Sequence, residues 1–376
     1  MSPKEDFLRA IPARVEATMR RLLVAVALVA FLLGIVTGAK AGGVERTILS
    51  LDLNSDGRED LLVYDPTTGA FTRVFQYPGW PYAAPTEYWL PGMNVVMGFL
   101  DEDASPDVIF YDPATGLVWQ ALNYAGTLYV TTVTSWPRGM LAYPFDHNGD
   151  GATDFFLYNR VTGEWSLQLN TWNGYFTEVN GRWSEGWEIR VGNFSAFDHN
   201  QDLLLYNRET GVWYKALSDG FGGFYYSQPG RWSPGWNVSI GRFNIDAADD
   251  VFLYNPVTGV WFRVFSDGWT GFYWYERGGW SAGWSVLIAR LEKRGLDDLI
   301  LYHAGTGAGF ACVTQAYAGF RYHRLTLYNS AVPMVQDFSG DRLSDLLLWI
   351  DLTNPVGFSR YKSVLRGGNF DHLEWW

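Results

Sequence analysis

Residues 146–163 read DHNGDGATDFFLYNRVTG, and this stretch decides the fold. Oxygen-bearing side chains alternate over its first half, and a short apolar run follows Asp154. Residues 159–163 then have the composition of a tight turn. A run of about five apolar residues that ends at a turn predicts a strand buried on both faces.

The apolar run and its turn recur through the chain. The run ends at an aromatic residue in every copy, and these residues lie 47 or 48 positions apart: Tyr64, Tyr111, Tyr158, Tyr206, Tyr254, Tyr302 and Trp349. Each unit holds further segments rich in aromatic and β-branched residues, separated by glycine-rich turns. Four short strands per unit predict a propeller blade. The sequence therefore predicts an all-β fold, a seven-bladed β-propeller of four-stranded antiparallel blades over residues 42–376.

The ends of the repeated region suggest how the ring closes. The last repeat ends at HLEWW without a segment that reads as a fourth strand, whereas ERTILSLD, residues 45–52, precedes the first repeat. We therefore predict that this N-terminal strand pairs with the last blade. Such pairing would cover sheet edges that are otherwise exposed.

The first 41 residues have the pattern of a secretory signal peptide. Arg20 and Arg21 precede the apolar run 22–36, and small residues surround Ala41, after which we predict cleavage. Met19 is an alternative start. The run is shorter than the roughly 20 residues of a membrane span, so we predict no membrane insertion after cleavage, with an uncleaved anchor as the alternative. The predicted location is secreted, cell-surface or periplasmic.

Charge and cysteine content exclude some functions. The formal net charge is -12, and it becomes more negative without residues 1–41, which hold more basic than acidic residues. A surface this acidic argues against nucleic acid and anionic membranes as partners. Cys312 is the single cysteine, so an internal disulfide is impossible.

The oxygen-rich half of the opening stretch predicts a calcium loop. Carboxylate and amide side chains occupy positions 1, 3, 5 and 9, and Gly151 permits a sharp turn at position 6. Oxygen-only ligands in a crowded loop favour Ca²⁺. The predicted ligands are Asp52, Asn54, Asp56, the Arg58 carbonyl and Asp60 in the first repeat; Asp146, Asn148, Asp150, the Ala152 carbonyl and Asp154 in the third; and Asp337, Ser339, Asp341 and Asp345 in the seventh. The alternative is a hydrogen-bonded Asx turn without metal.

The other repeats depart from this pattern. The seventh repeat already replaces the glycine by Arg342, and the second and fourth are out of register. In the fifth and sixth repeats arginines occupy ligand positions, where a guanidinium could pair with Asp250 or Asp298. We therefore predict no calcium in the second, fourth, fifth and sixth repeats.

The segments DLNSDGREDLLVYD and DHNGDGATDFFLYN resemble the FG-GAP or VCBS-type repeats of integrin α-subunit propellers and of secreted bacterial proteins. The likeness covers residues 45–376. It implies a seven-bladed propeller with calcium in loops on one face. The Phe-Gly and Gly-Ala-Pro signature of integrins is present only in fragments, so the chain is more similar to the bacterial group. Related propellers include lectins and ligand-binding domains, so the resemblance implies architecture more than activity.

The sequence contains no recognisable catalytic set. The five histidines lack metal-ligand spacing, and we expect His147 and His199 to be solvated loop residues. No nucleophile elbow, zinc motif or phosphate-binding glycine loop occurs. We therefore predict a protein that is not an enzyme, with a polysaccharide-acting enzyme as an alternative.

Tryptophan pairs are the candidate ligand-binding residues. The motif W-x-x-G-W occurs three times and gives the pairs Trp183 and Trp187, Trp232 and Trp236, and Trp280 and Trp284. These rings could pack between blades, or one of each pair could stack on a sugar. We predict a calcium-stabilised module that binds carbohydrate through aromatic inter-blade pockets. The alternative is a protein-interaction or adhesion module that uses the propeller face.

Overall fold

The computed structural model of the chain describes residues 36–41, 44–77, 80–103, 105–172, 175–349, 358–366 and 369–375. These residues form β-strands, turns and loops, without a helix. None of them therefore belongs to a helix long and apolar enough to cross a membrane. The predicted signal peptide falls outside the described residues up to residue 35, and Val36–Ala41 forms the first strand.

Within the described part of the chain the strands hydrogen-bond into seven antiparallel sheets, numbered here in chain order. Sheet 1 contains β1 (Val36–Ala41), β2 (Val44–Leu51), β3 (Asp60–Tyr64), β4 (Ala70–Tyr77), β5 (Trp80–Ala83) and β6 (Glu87–Tyr88). Sheet 2 contains β7 (Asn94–Gly98), β8 (Asp107–Tyr111), β9 (Leu117–Tyr124) and β10 (Thr127–Ser135). Sheet 3 contains β11 (Leu141–Phe145), β12 (Asp154–Tyr158), β13 (Glu164–Asn170) and β14 (Phe176–Arg182).

The remaining four sheets repeat this order. Sheet 4 contains β15 (Glu188–Gly192), β16 (Asp202–Tyr206), β17 (Val212–Ser218), β18 (Phe224–Tyr226) and β19 (Gly230–Arg231). Sheet 5 contains β20 (Asn237–Gly241), β21 (Asp250–Tyr254), β22 (Val260–Ser266) and β23 (Phe272–Gly279). Sheet 6 contains β24 (Ser285–Ala289), β25 (Asp298–His303), β26 (Ala308–Thr314) and β27 (Phe320–Thr326). Sheet 7 contains β28 (Val332–Gln336), β29 (Asp345–Trp349), β30 (Phe358–Arg366) and β31 (Asn369–Trp375).

The apolar run found in the sequence is the second blade strand of each sheet. In β3, β8, β12, β16, β21 and β29 all five residues are buried. A strand covered on both faces can be apolar at every position, which explains the lack of alternation. Clusters of buried side chains join neighbouring sheets on either side of these strands.

The aromatic residue that ends each run fixes a turn. The hydroxyl of Tyr158 donates to the carbonyl of Ser184 at 2.7 Å and accepts the N–H of Trp187 at 3.4 Å. The tyrosines of sheets 1, 2, 4, 5 and 6 make the same pair of hydrogen bonds. The repeated tyrosine therefore holds the W-x-x-G-W loop or its equivalent against the core.

The architecture is a β-propeller of antiparallel sheets, as predicted, but two finer predictions are not confirmed. The prediction of seven blades is not confirmed: the described residues contain six recognisable blades, although their hydrogen-bonded strands form seven sheets. The predicted pairing of residues 45–52 with the last blade is wrong, because β2 pairs with β3 in sheet 1. Sheet 7 has four strands of its own. The strand before each oxygen-rich loop pairs with the strand after it, so each sheet takes in the segment that precedes its loop and does not begin at the apolar run.

Candidate functional site

The oxygen-rich loops of sheets 1, 3 and 7 share one backbone conformation. Positions 4 and 6 of each loop have positive φ, which non-glycine residues adopt at a cost. The residues are Ser55 (59°), Gly57 (86°), Gly149 (69°), Gly151 (88°), Gly340 (73°) and Arg342 (67°). Arg342 thus holds the conformation of the glycine that it replaces. The three loops predicted to bind calcium are therefore structurally one motif.

The first aspartate of each of these loops organises the turn. Asp146 accepts the N–H of Asp150 through Oδ1 at 3.2 Å and the N–H of Gly151 through Oδ2 at 2.9 Å. Asp150 in turn accepts the N–H of Ala152 at 2.8 Å. The corresponding bonds occur around Asp52 and Asp337. The side chains at positions 1 and 5 thus bind the backbone of their own loop.

The aspartate at position 9 has a role that does not depend on metal. Asp154 accepts the N–H of His147 through Oδ2 at 2.9 Å and that of Asn170 through Oδ1 at 2.7 Å. We call the residues at this position the strand-start aspartates: Asp60, Asp107, Asp154, Asp202, Asp250, Asp298 and Asp345. In sheets 1 to 6 each binds an N–H of its loop and the N–H of the residue sixteen positions later. Repeats with and without a predicted calcium site are alike in this respect.

The donor chemistry of the three loops fits a hard cation, although their geometry is that of Asx turns. Among the described residues no group of three or more His, Cys, Asp or Glu side chains is arranged to hold a metal ion. Burial, reinforced by the nearby Asp150 charge, raises the pKa of Asp146 to about 7. Burial also raises the pKa of Asp60 to about 7, with smaller contributions from Asp52 and Asp56. A cation would favour the ionised form of these carboxylates.

An arginine lies beside the strand-start aspartate in one of the two repeats where the sequence predicted such a pair. Arg294 Nη2 lies 3.6 Å from Asp298 Oδ1. In the fifth repeat Arg242 instead donates to the carbonyl of Ala247 at 3.5 Å, while Asp250 binds backbone N–H groups. The guanidinium of the sixth repeat therefore lies near the strand-start aspartate.

His147 is a core residue, contrary to the expectation that it is solvated. Its side chain is fully buried, Nε2 accepts the N–H of Gly222 at 3.0 Å, and its ring packs edge-on against Phe224. It therefore joins the loop of sheet 3 to a hairpin of sheet 4. His199, in the equivalent loop, is exposed as expected. The fourth repeat is out of register with the loop pattern, and this shift is the sequence feature that distinguishes His199 from His147.

The two members of each tryptophan pair have different environments. The second members, Trp187, Trp236 and Trp284, are 6%, 5% and 9% exposed, and each indole N–H donates to a serine hydroxyl three residues earlier. They are core residues of the seams between sheets. The first members, Trp183, Trp232 and Trp280, are partly exposed. They are therefore the more accessible members of each pair, although Trp183 stacks on Phe156 and Trp280 stacks on Phe252.

An indole–phenol pair forms the accessible part of two seams. Trp183 Nε1 donates to the hydroxyl of Tyr226 at 3.0 Å, across the seam between sheets 3 and 4. Trp280 Nε1 donates to the hydroxyl of Tyr322 at 3.1 Å, between sheets 5 and 6. The two tyrosines are 50% and 46% exposed. Each pair presents aromatic surface and a hydroxyl that retains its own proton for a further hydrogen bond.

Comparisons with known proteins identify the fold. No protein-family model matches the chain, and no curated protein matches it; membership of the FG-GAP or VCBS group is therefore not confirmed. The structure is similar to that of an Agrocybe aegerita lectin that recognises non-reducing terminal N-acetylglucosamine, with a TM-score of 0.60 and 15% identity over 76% of this chain and 82% of the lectin.

Two bacterial structures are similar over a larger share of the chain. A Lactobacillus plantarum protein gives a TM-score of 0.54 at 11% identity, over 88% of this chain and 95% of that one. A candidate 6-phosphogluconolactonase of Bacteroides fragilis gives 0.52 at 10% identity, over 88% and 93%. At such low identity these similarities show the propeller fold alone.

Proposed function

We propose that the chain is a carbohydrate-binding module whose ligand sites are the Trp183–Tyr226 and Trp280–Tyr322 pairs. The partly exposed indole–phenol pair is the observation that carries this proposal. Aromatic rings complement the apolar C–H face of a pyranose, and the tyrosine hydroxyl can donate to a sugar oxygen. The lectin among the similar structures supports a binding role on this fold, although fold does not determine ligand.

Repetition of the pair makes the proposed module multivalent. The two sites lie on different seams, between sheets 3 and 4 and between sheets 5 and 6, so a polymeric glycan could engage both. Linked weak sites can raise the overall affinity well above that of each site alone. We therefore expect stronger binding to polysaccharides than to isolated monosaccharides.

The remaining features of the proposed module follow from the sequence. We propose that the loops of sheets 1, 3 and 7 bind calcium, that residues 1–41 direct secretion, and that all seven sheets belong to one closed ring. The contacts between sheet 7 and sheet 1 support closure: Glu59 and Asp337 bond across that seam, and buried side chains of both sheets form one cluster.

Two other functions remain as alternatives. A protein partner on the propeller face is favoured by exposed aromatic side chains at loop tips, such as Phe197 and Phe221. An enzyme acting on sugar derivatives is favoured only by the similarity to the candidate lactonase. Product release from polysaccharide would support the enzyme, and binding that survives loss of the indole–phenol pairs would support the protein partner.

A glycan array with designed variants tests the main proposal. Tyr226→Ala and Tyr322→Ala remove the exposed half of each pair, and we expect the double variant to lose glycan binding. Tyr225→Ala is the matched control, because Tyr225 is 59% exposed but points to the opposite face of β18. Equal binding by the double variant and the control would exclude these sites.

A further inference from the structure

The two proposed glycan sites differ in the side chains that lie beside the indole–phenol pair. In sheet 3, Leu167 of β13 lies opposite Val179 of β14. In sheet 5 the equivalent positions hold Arg263 of β22 and Glu276 of β23. In each sheet the first member of this cross-strand pair also lies opposite the second residue after the strand-start aspartate, which shows that the positions correspond. An apolar pair in one repeat is therefore a charged pair in the other.

The charged pair turns its carboxylate toward the seam between sheets 5 and 6. The Arg263 side chain is fully buried, whereas that of Glu276 is 20% exposed. Arg263 donates to Glu276 Oε2 through both Nε, at 2.7 Å, and Nη2. A Cβ on Gly319, in a hairpin of sheet 6, would lie 3.4 Å from Glu276 Oε1. The second carboxylate oxygen therefore lies in the seam and can accept a hydrogen bond from a ligand.

This carboxylate is close to the Trp280–Tyr322 pair. The Arg263 guanidinium lies over the ring of Phe320, 4.7 Å from its centroid. The Phe320 ring in turn lies 6.3 Å from the rings of both Trp280 and Tyr322. Burial raises the pKa of the Tyr322 phenol, and the negative charge of Glu276 contributes to that rise. The tyrosine hydroxyl and the Glu276 carboxylate thus belong to one site.

The matching place in the other site is apolar. Val179 and Trp183 belong to one cluster of packed apolar side chains. A Cβ on Gly222 of sheet 4 would lie 3.1 Å from Val179 Cγ2, so Val179 lies beside the next sheet's hairpin as Glu276 does. Burial raises the pKa of Tyr226 without a contribution from a charged side chain of the described residues. Two sites with the same aromatic pair therefore differ in polarity.

We propose that Glu276 determines the specificity of the Trp280–Tyr322 site by accepting a hydrogen bond from a free sugar hydroxyl. This inference rests on the glycan-binding function proposed above. A hydrogen bond to a carboxylate is roughly twice as strong as one between neutral groups, and a ligand that cannot donate leaves the acceptor unpaired. The site therefore selects sugars with free hydroxyl groups, whereas the other site, with Val179 in that place, also accepts sugars whose hydroxyls are acetylated.

Single-site variants on a glycan array test this difference. Tyr226→Ala leaves the site with Glu276, and Tyr322→Ala leaves the site with Val179. The array carries each oligosaccharide in its free and its O-acetylated form. We expect Tyr226→Ala to bind the free forms about tenfold or more above the acetylated ones, as for loss of a charge-assisted hydrogen bond. Tyr322→Ala should bind both forms equally.

A transplanted pair tests Glu276 directly. In the Tyr226→Ala protein, the double substitution Arg263→Leu, Glu276→Val reproduces the pair of sheet 3 and removes both charges, so that neither is left buried alone. We expect it to abolish the preference for free hydroxyls while binding to the acetylated forms persists. Glu276→Gln keeps a neutral acceptor and should reduce the preference only in part. Arg277→Ala, exposed on the opposite face of β23, is the matched control and should leave the preference unchanged.

The outcomes separate this inference from the function on which it rests. Melting curves verify that every variant is folded. Binding by both single-site proteins with the same preference would refute the role of Glu276 and leave the glycan-binding function standing, as would a preference that survives both Glu276 substitutions. Absence of glycan binding by both single-site proteins would refute the proposed function and this inference with it.

Discussion

Glu59 and Asp337 form a reciprocal pair between the first and last sheets. The N–H of Glu59 donates to the carbonyl of Asp337 at 2.9 Å, and the N–H of Asp337 donates to the Glu59 carboxylate at 3.0 Å. The residue before a strand-start aspartate makes the same two bonds at five other seams, through Thr153, Gln201, Asp249, Asp297 and Ser344. The contact between first and last sheets is therefore built like the contacts between consecutive sheets.

Glu59→Ala tests the energetic weight of this pair. The substitution leaves the part-buried N–H of Asp337 without its side-chain acceptor, and loss of such a partner costs up to about 1–3 kcal/mol. We expect a corresponding loss in the free energy of unfolding, measured by urea denaturation. Glu59→Gln retains an acceptor oxygen and should lose less. Equal losses for the two variants would show that the hydrogen bond is not the cause.

In a loop without predicted calcium, the strand-start aspartate should contribute as much to the free energy of unfolding as in a loop with predicted calcium. Asp202 accepts the N–H groups of Phe194, Ser195 and Ser218. Asp202→Ala removes all three acceptors, and we expect it to lower the free energy of unfolding by about 3 kcal/mol or more. A mild effect in denaturant melts would mean that water replaces the carboxylate.

The same buried carboxylates predict the pH dependence of stability. Burial raises the pKa of Asp202 and of Asp250 to about 7 in the folded protein, against about 3.9 when unfolded. Between these values the folded state binds more protons, so the free energy of unfolding falls as pH rises from about 4 to about 7. Denaturation at pH 5 and pH 8 measures this. The double variant Asp202→Asn, Asp250→Asn should show a weaker dependence.

Calcium removal tests the three matching loops. At roughly 1 mM ion and a dissociation constant near 0.1 mM, one site contributes about 1.4 kcal/mol. We expect EDTA to lower the melting temperature by several degrees, and Asp150→Ala to reduce that shift. Asp246→Ala, in a loop without the shared conformation, should leave the shift unchanged. A melting curve insensitive to chelator would refute calcium binding.

Adjacent glycines in β23 provide a matched packing test. A Cβ on Gly278 would lie 2.1 Å from Cζ2 of Trp261, whereas a Cβ on Gly279 meets nothing within 4 Å. We expect Gly278→Ala to cost about 1–3 kcal/mol through overpacking and Gly279→Ala to be nearly neutral. Thermal unfolding of the two variants measures the difference, and similar melting temperatures would contradict the close packing.

The sequence predicted the repeated strands because burial on both faces leaves an unmistakable apolar run. It misplaced the strand before each loop, such as β20, because apolar content does not reveal which neighbour a strand pairs with. Asp250 links these strands, because it accepts the N–H of Phe243 just after β20 and the N–H of Ser266 at the end of β22. Such long-range backbone bonds leave no periodic trace in the sequence.

The sequence also predicted one part of the candidate site and missed another. Spacing identified the three loops that share positive φ at positions 4 and 6, even where Arg342 replaces glycine. It could not separate Trp183 from Trp187, since both lie in the same motif and differ in how far the folded chain buries them. The tyrosine partners Tyr226 and Tyr322 come from the next sheet and had no signature.

Pro106 occupies, in the second repeat, the position that bonds across the seam elsewhere. Proline has no N–H and cannot form the reciprocal pair. The seam between sheets 1 and 2 instead holds the cluster with the most fully buried apolar side chains among the described residues. Stabilisation by apolar contacts weakens on cooling. We therefore expect cooling to weaken the contact between sheets 1 and 2 before the contacts between the other sheets.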